Sequence, residues 1–501
     1  MTFDITDKTM DSDTVTATAT SLFPLCNLSQ VTNKMKDVQY NFSTLENDRF
    51  KLDGTFCFAD GDYNFREYGW WSDTLCDAAG VFTPNQVLTL SFGNIHSIAG
   101  LTFTFDIANN EYAVDFDIKI YNSAGTLIST ENVVGNTETA KTVTKDFSNF
   151  KKIEIIIKKW SKPYRRVRII EVEFGVTKVY TDDNLVRVSL VEELDLSSGT
   201  LPSAEFKFTV DNSNREFNIL NPTGFYKFLQ ERQTVRLEIG LEYNGGIEYI
   251  PVGQYLLSEW VSNEDSLTAS FTARSNLDAL ADFEYENLVA KTGYNLSRLA
   301  QDIFSICKIT NYRLDSSLSS ISTKALVKKT NCKNVIQMIA IAGRCGVFID
   351  RRGNYVIAKT PSLINPVDTI SLDAMYTEPK ITLEKPLKSV TVKFYEGSGM
   401  EIPTETMSGN NIFLTGDNVV VDNTLINDYI QAQLIANWLL NLKNNRAVYS
   451  VDWRGNQAHE LNDVVSIQNS YGANKNVIIT KNELNYEGYL SAKMEARGAV
   501  T

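Results

Sequence analysis

The feature that most constrains this chain is strict alternation of apolar and polar residues, carried through segment after segment of its first third. VDFDIKIY at 114–121 puts Val114, Phe116, Ile118 and Ile120 on one face, and LTFTFDI at 101–107, KKIEIIIKKW at 151–160 and RVRIIEVEFG at 166–175 read the same way. A period of two belongs to a strand with one buried and one wet face, and a helix cannot satisfy it. Turn chemistry separates the runs at Ala59-Asp60-Gly61-Asp62 and Asn122-Ser123-Ala124-Gly125, since Gly, Asn and Asp tolerate the angles that reverse a chain. Behind a short N-terminal segment, 1–12, residues 13–177 are therefore expected to form an antiparallel β-sandwich.

The texture then changes three times. Residues 178–285 stay strand-rich (VRVSLVE, EFKFTV, VRLEIGL, LTASFTA), with a turn at Asn221-Pro222-Thr223-Gly224 feeding a short helix through Phe225, Phe228 and Leu229; a β-barrel with one small helix fits. In 286–372 a helical period appears, with Leu296, Leu299, Ala300, Ile303, Phe304 and Cys307 on one face. A second helix is expected over 333–342, with Asn331 as N-cap and Gly343 as the glycine beyond its end, and then a hairpin turning at Arg352-Gly353-Asn354. This is a small α+β module. Residues 373–501 return to strands around one helix, expected at 425–443, with Ile426, Tyr429, Ile430, Ala436 and Leu440 on one side and Trp438, Leu439 and Leu442 on others. The chain thus reads as mainly β with α+β parts, and 501 residues suit roughly three domains.

Charge and composition narrow the function. With 48 Lys+Arg against 61 Asp+Glu, the formal charge is −13, which opposes duplex nucleic acid and anionic membranes, since both are held by cationic side chains. No run approaches the roughly 18 apolar residues of a membrane span, and MTFDITDKTM has no basic n-region or apolar h-region, so no membrane insertion and synthesis in a cytoplasm are expected. The six cysteines fall three and three between the halves without CxxC spacing, which reads as free thiols. The two histidines, His96 and His459, give no Ser/His/Asp set, and HELND at 459–463 lacks the second histidine of HExxH. No Walker loop, GxSxG or GxGxxG occurs, so neither catalytic residues nor cofactors are expected. Only paired carboxylates remain as an enzymatic option, and 61 acids select no pair.

Two patches could carry recognition. Tyr68-Gly69-Trp70-Trp71-Ser72-Asp73, with Arg66 nearby, offers the flat apolar faces and polar groups that stack on and bond to sugar rings. The plainer reading is a core tryptophan: adjacent strand residues face opposite ways, so one of Trp70 and Trp71 is core and the other the candidate contact. KKWSKPYRRVR, with Lys158, Lys159, Lys162, Arg165, Arg166 and Arg168 around Trp160 and Tyr164, is either a surface for an acidic polymer or a strand pair with solvated lysines. Asp60, Asp62, Asp73 and Asp77 could hold a structural calcium through loop oxygens but match no EF-hand loop.

Read as a pattern, ADGD, GWWSD, VLTLSFGNIHSIAGLTFTF, YAVDFDIKIYNSAG and RVRIIEVEFG over about 13–177 resembles the galactose-binding-like, discoidin (factor 5/8 type C) jelly-roll sandwich, without that family's terminal disulfide. Over about 178–501, LPSAEFKFTVDNSNREFNILNPTGFYKFLQERQTVRLEIGLEYNGGIEYIPVGQYLLSEW, LTASFTARSNLDAL, IAIAGRCGVFIDRRGNYVI, VYSVDWRGN, ELNDVVSI and VIITKNELNYEGYLSAKMEARG are similar to the tail-associated hub proteins of phages of Gram-positive hosts and of phage-tail-like particles. The resemblance implies a multi-domain hub of β-barrels and a small α+β module, a homotrimeric ring, tail tube and distal tail proteins above, and a spike or lysin chain below. It implies a virion location, at the baseplate or tail tip, and leaves lysis to another chain. A negative lumen would let DNA pass without specific binding.

The expectation is a structural virion protein, a tail or baseplate hub whose first domain decorates the ring or touches host cell-wall glycan. The alternatives are a carbohydrate-binding, receptor-binding tail protein and, last, a carboxylate-based polysaccharide hydrolase.

Overall fold

In the computed structural model the chain is mainly β, with few helices. The structure describes residues 1–7, 10, 13–32, 42–53, 56, 58, 69–222, 224–243, 246–262, 264–396, 405–410, 415–471 and 474–499, with the backbone alone at 241–243, 246–248, 405–410 and 443–444. They form two compact units: residues 2–179 with 216–233, and residue 1 with 180–215 and 234–501.

The first unit is a jelly-roll sandwich of nine strands: β1 (Thr2–Thr6), β2 (Val15–Ala19), β3 (Trp70–Leu75), β4 (Val81–Thr104), β5 (Ala113–Tyr121), β6 (Leu127–Val133), β7 (Ala140–Trp160), β8 (Arg166–Ile169) and β9 (Glu171–Val179). The long strands β4 and β7 serve both sheets. One sheet runs β2-β4-β7-β5-β6 and the other β1-β9-β4-β7, all antiparallel, while β3 and β8 pair separately. β4 passes from one sheet to the other where its register breaks repeatedly, between Ser91 and Gly100, as strands do when they turn a corner through bulges. Gly100 is required there: its φ is +154° and a Cβ would lie 2.1 Å from the Val143 carbonyl oxygen.

Alternation fills the core. Phe116, Ile118 and Ile120 from β5 meet Ile153, Ile155 and Ile157 from β7, all fully buried, and Trp160 stands edge-on to Phe105 at 5.9 Å. Val114 departs from the expected face. A register break around Asp115 turns Ala113 inward instead, because an extra residue in a strand reverses the phase of everything before it. The expected turn and helix near 221–229 form as a 3-10 helix, Phe225–Phe228. Its segment packs with the sandwich, through Lys178–Glu216 (2.7 Å), Lys227–Asp146 (2.6 Å) and a hydrogen bond from Gln233 Nε2 to the Thr6 carbonyl (2.9 Å).

The second unit begins with β10 (Leu185–Glu193), β11 (Glu205–Asp211), β12 (Thr234–Tyr243), β13 (Gly246–Ser262) and β14 (Thr268–Ser275), hydrogen-bonded in the order β12-β13-β14-β11-β10. An α+β part follows: β15 (Glu284–Asn287), α1 (Leu296–Ile306), β16 (Tyr312–Leu314), β17 (Val327–Asn331), α2 (Cys332–Gly343), β18 (Cys345–Ile349) and β19 (Tyr355–Lys359). Next come β20 (Asp368–Ile370), β21 (Lys380–Leu383), β22 (Leu387–Phe394), β23 (Glu405–Asn410), β24 (Asp417–Asp422) and α3 (Tyr429–Asn444). β25 (Ala447–Trp453), β26 (Val464–Ile467), β27 (Lys475–Tyr486) and β28 (Leu490–Gly498) complete it. β27 pairs with β10, β26 and β28, so the first and last strands of the unit belong to one continuous sheet.

α1, α2 and α3 share one apolar core with β18, β19 and β22. All six residues of the period read in α1 are buried. Asn331 caps α2 by accepting from the Asn334 N–H at 2.9 Å. The left-handed residue after α2 is Arg344 (φ +59°), not Gly343. Gly343 is the last helical residue, where a Cβ would lie 2.3 Å from Leu318 Cδ2. α3 starts later than expected, at its N-cap Asp428. Ile426 lies buried before it, while Tyr429 and Ile430 face outward. Among the described residues, no helix is long and apolar enough to cross a membrane.

Candidate functional site

The aromatic patch lies on β3, and Arg66 and Tyr68 lie outside the described residues. Both tryptophans are interior, at 0% and 4% exposure, which corrects the expectation that one would be free to stack on a sugar. Trp70 joins the sandwich core and donates from Nε1 to the Ser21 carbonyl at 3.0 Å. Trp71 enters a second, smaller cluster with Leu25 and Phe42. Its ring stacks on Phe23 at 6.0 Å and carries the Arg168 guanidinium 4.5 Å from its centroid. Opposite strand faces are thus both covered, the second by Phe23, Leu25 and Phe42. Of the patch, Asp73 keeps an exposed side chain, 3.3 Å from Arg166.

The basic stretch divides in the same way. Trp160, Arg165 and Arg168 are buried, Lys158 is half-buried, and Lys162 and Tyr164 stay exposed. Glu111 takes Arg49 at 2.9 Å, Arg165 Nε at 3.0 Å and Trp160 Nε1 at 3.2 Å. Arg49 also meets Asp106 at 3.0 Å, and Arg168 pairs with Glu46 and lies 3.8 Å from both Asp106 and Glu111. Burial pushes the Glu46 carboxyl up, but Arg168 and the hydrogen bonds it accepts more than offset this and hold it below its ordinary value. The arrangement is a compensated interior ion network, so the reading of these cations as a surface for an acidic polymer is corrected too. Glu46, Arg49, Asp106 and Glu111 escaped the sequence reading, since partners 50 to 120 residues apart leave no local pattern.

The calcium reading does not assemble among the described residues. Asp60 and Asp62 lie outside them, Asp77 accepts from the Ala79 and Val81 N–H groups at 2.8 Å each, and no group of three or more possible ligands forms. The histidines are tied down as well. His96 lies buried between Asp13 (2.8 Å) and Asp7 (3.4 Å), and His459 holds Asp368 at 2.9 Å while stacking on Trp453 at 5.4 Å.

The second unit holds a further buried set. Arg351 Nη1 reaches both oxygens of Glu192 (2.9 and 2.8 Å) and the Val252 carbonyl (2.8 Å), and its Nη2 donates to the His459 carbonyl at 3.0 Å. Burial raises the Glu192 carboxyl and lifts the Tyr255 phenol well above its ordinary range. The adjoining cavity, lined by Glu192, Tyr255, Asp350 and Leu461, holds about 20 Å³. That is room for one water and not for a substrate.

No protein-family model matches the sequence, and no curated protein matches it. Solved structures do. The tail protein of Neisseria meningitidis MC58 is similar at 11% identity and a TM-score of 0.43, over 62% of this chain and 92% of that one. The prophage MuSo2 43 kDa tail protein of Shewanella oneidensis is similar at 11% identity and a TM-score of 0.43, over 64% and 95%. The N-terminal part is similar to the family 32 carbohydrate-binding module of Clostridium perfringens NanJ, at 16% identity and a TM-score of 0.22, over 36% and 100%.

Proposed function

We propose that this chain is a structural protein of a phage-type tail, a hub that assembles as a homotrimer at the baseplate or tail tip. In this reading it contacts tube and distal tail proteins on one side and a spike or lysin chain on the other. The observation that carries the reading is apolar surface on the second unit that a monomer leaves in water. Along α3, Ile430 and Leu434 are 68% and 44% exposed, with Trp438 half-buried one turn further, and on β21 Ile381 and Leu383 are 52% and 53% exposed. Two separate apolar stripes suit a head-to-tail ring, in which each copy offers one surface to the next. Glu192, whose carboxyl burial raises, is locked on Arg351 beside a water-sized cavity, which favours a structural role over catalysis there.

The sandwich is the decorating domain in this proposal. With Trp70 and Trp71 interior, glycan contact falls to Asp73 and to Arg66 and Tyr68. Negative-stain images of the purified protein test the hub reading: three-fold rings with a central channel support it, and single, unassociated particles at high concentration count against it. A glycan array with an Asp73→Ala control tests the decoration separately.

A further inference from the structure

We propose that the outer groove of α3 seats β21 of a second copy of this chain, with a row of asparagines on the helix bonding the unpaired edge of that strand. This seat rests on the hub reading and names the contact by which copies join. Leu434, Asn437, Trp438, Asn441 and Asn445 line the groove together with Arg344, and no residue of the same copy's β21 does. Asn437 and Asn441 stand one turn apart on the same face, and Asn445, four residues on, is the C-cap of α3. Among the described residues, none of these side-chain amides has a hydrogen-bond partner. Asparagine is a poor helix former, so an exposed row of it weakens the free helix. What the row supplies is a donor and an acceptor at every turn, with Leu434 and Trp438 as apolar ground between them.

β21 is the matching half. It pairs along one edge, with β25, and all four of its residues are exposed, so neither of its faces is covered. Glu384, next after the strand, donates its N–H to the Arg446 carbonyl at 3.0 Å, and in an antiparallel pair alternate residues carry the bonds. Lys380 and Thr382 therefore face β25, while the N–H and C=O groups of Ile381 and Leu383 point to the open edge. Along a strand those two residues lie about 6.8 Å apart, and successive amides of the row lie about 6.0 Å apart along a helix, so one amide falls to each. On this seating the Ile381 and Leu383 side chains lie against Leu434 and Trp438. The charges agree as well. Arg344 has no ion pair among the described residues, and Glu378, exposed ahead of β21, is held only by the Ser470 hydroxyl at 3.1 Å. A groove that takes a neighbour's strand makes a head-to-tail contact, the kind that closes into a ring.

The test measures the solution mass of the full chain by sedimentation equilibrium over a range of concentrations, for the parent and for variants of either half. Asn437→Ala with Asn441→Ala should raise the dissociation constant roughly thirty-fold, as the loss of two hydrogen bonds predicts. Asn437→Asp with Asn441→Asp, and separately Ile381→Asp with Leu383→Asp, should each stay at one chain and melt within a few degrees of the parent, since all four side chains are exposed. An equimolar mixture of the last two should form a two-chain species, because the intact strand of one meets the intact groove of the other. Asn441→Asp and Leu383→Asp alone take their place should either pair not fold. Alanine variants that associate as tightly as the parent, or a mixture that stays at one chain, would overturn the seat and leave the hub standing. A parent that stays at one chain throughout would overturn the hub reading and the seat with it.

Discussion

At Asp13 one carboxylate organises a whole corner of the sandwich. It accepts from the Thr14 N–H (2.8 Å), the Asn94 N–H (2.9 Å) and side chain (3.0 Å), and it holds His96 at 2.8 Å. The His96 hydrogen bond first, and the Asn94 backbone bond next, pull its carboxyl down to about 2. A depressed acid stabilises the fold above its unfolded pKa, near 3.9, and loses that contribution as pH falls towards the folded value. The melting-temperature gap between the parent and Asp13→Asn should therefore be full at pH 5 and shrink steadily towards pH 2; a constant gap would contradict this. Arg168 makes the opposite kind of residue claim. Truncating it to Ala leaves Glu46 buried without its closest cation, so urea unfolding should show a loss of about 3–5 kcal/mol, whereas Arg187→Ala, on the exposed Arg187–Glu487 pair, should cost less than about 1 kcal/mol. The sequence marked Trp71 and Arg168 as unusual but not their surroundings. Alternation shows that Trp70 and Trp71 face opposite ways, and only the packing of Phe23, Leu25 and Phe42 shows that both faces are covered.

Elements were legible wherever a local period or cap decided them. The six apolar residues of α1 and the Asn331 cap of α2 needed no tertiary information, and Asn331→Ala should cost about 1 kcal/mol by thermal or chemical unfolding. Where packing decided, the reading slipped. Ile426 and Ile430 read as one side of a helix over 425–443, yet Asp428 starts the helix between them, and the first lies inward and the second outward. The phase of β5 slipped for a comparable reason, a bulge around Asp115 that no residue type announces. The outward face of α3 gives this scale its functional prediction. Ile430→Asp with Leu434→Asp should leave the melting temperature within a few degrees, because neither side chain is in the core, and should abolish self-association. A variant that associates as the parent does would remove α3 from the interface.

For the whole molecule, the mainly β class followed from patterning, whereas the segment 1–12, read as lying ahead of the sandwich, supplies its strand β1, paired with β9. What patterning could not show is that residues 216–233 pack with the sandwich, since that depends on pairs such as Lys178–Glu216 and Lys227–Asp146 that join distant segments. The charge of −13 yields a prediction at this scale: the assembled protein should not retard duplex DNA at physiological salt, because too few uncompensated cations are present to release counterions. Retardation that weakens steeply with added salt would show otherwise. The central claim, that this is a ring-forming hub, is tested most directly by the mass of the purified protein in solution, measured by light scattering from low to high micromolar concentration. The account predicts a trimer, or a concentration-dependent rise that ends at three copies. A mass that stays at one chain throughout would contradict it.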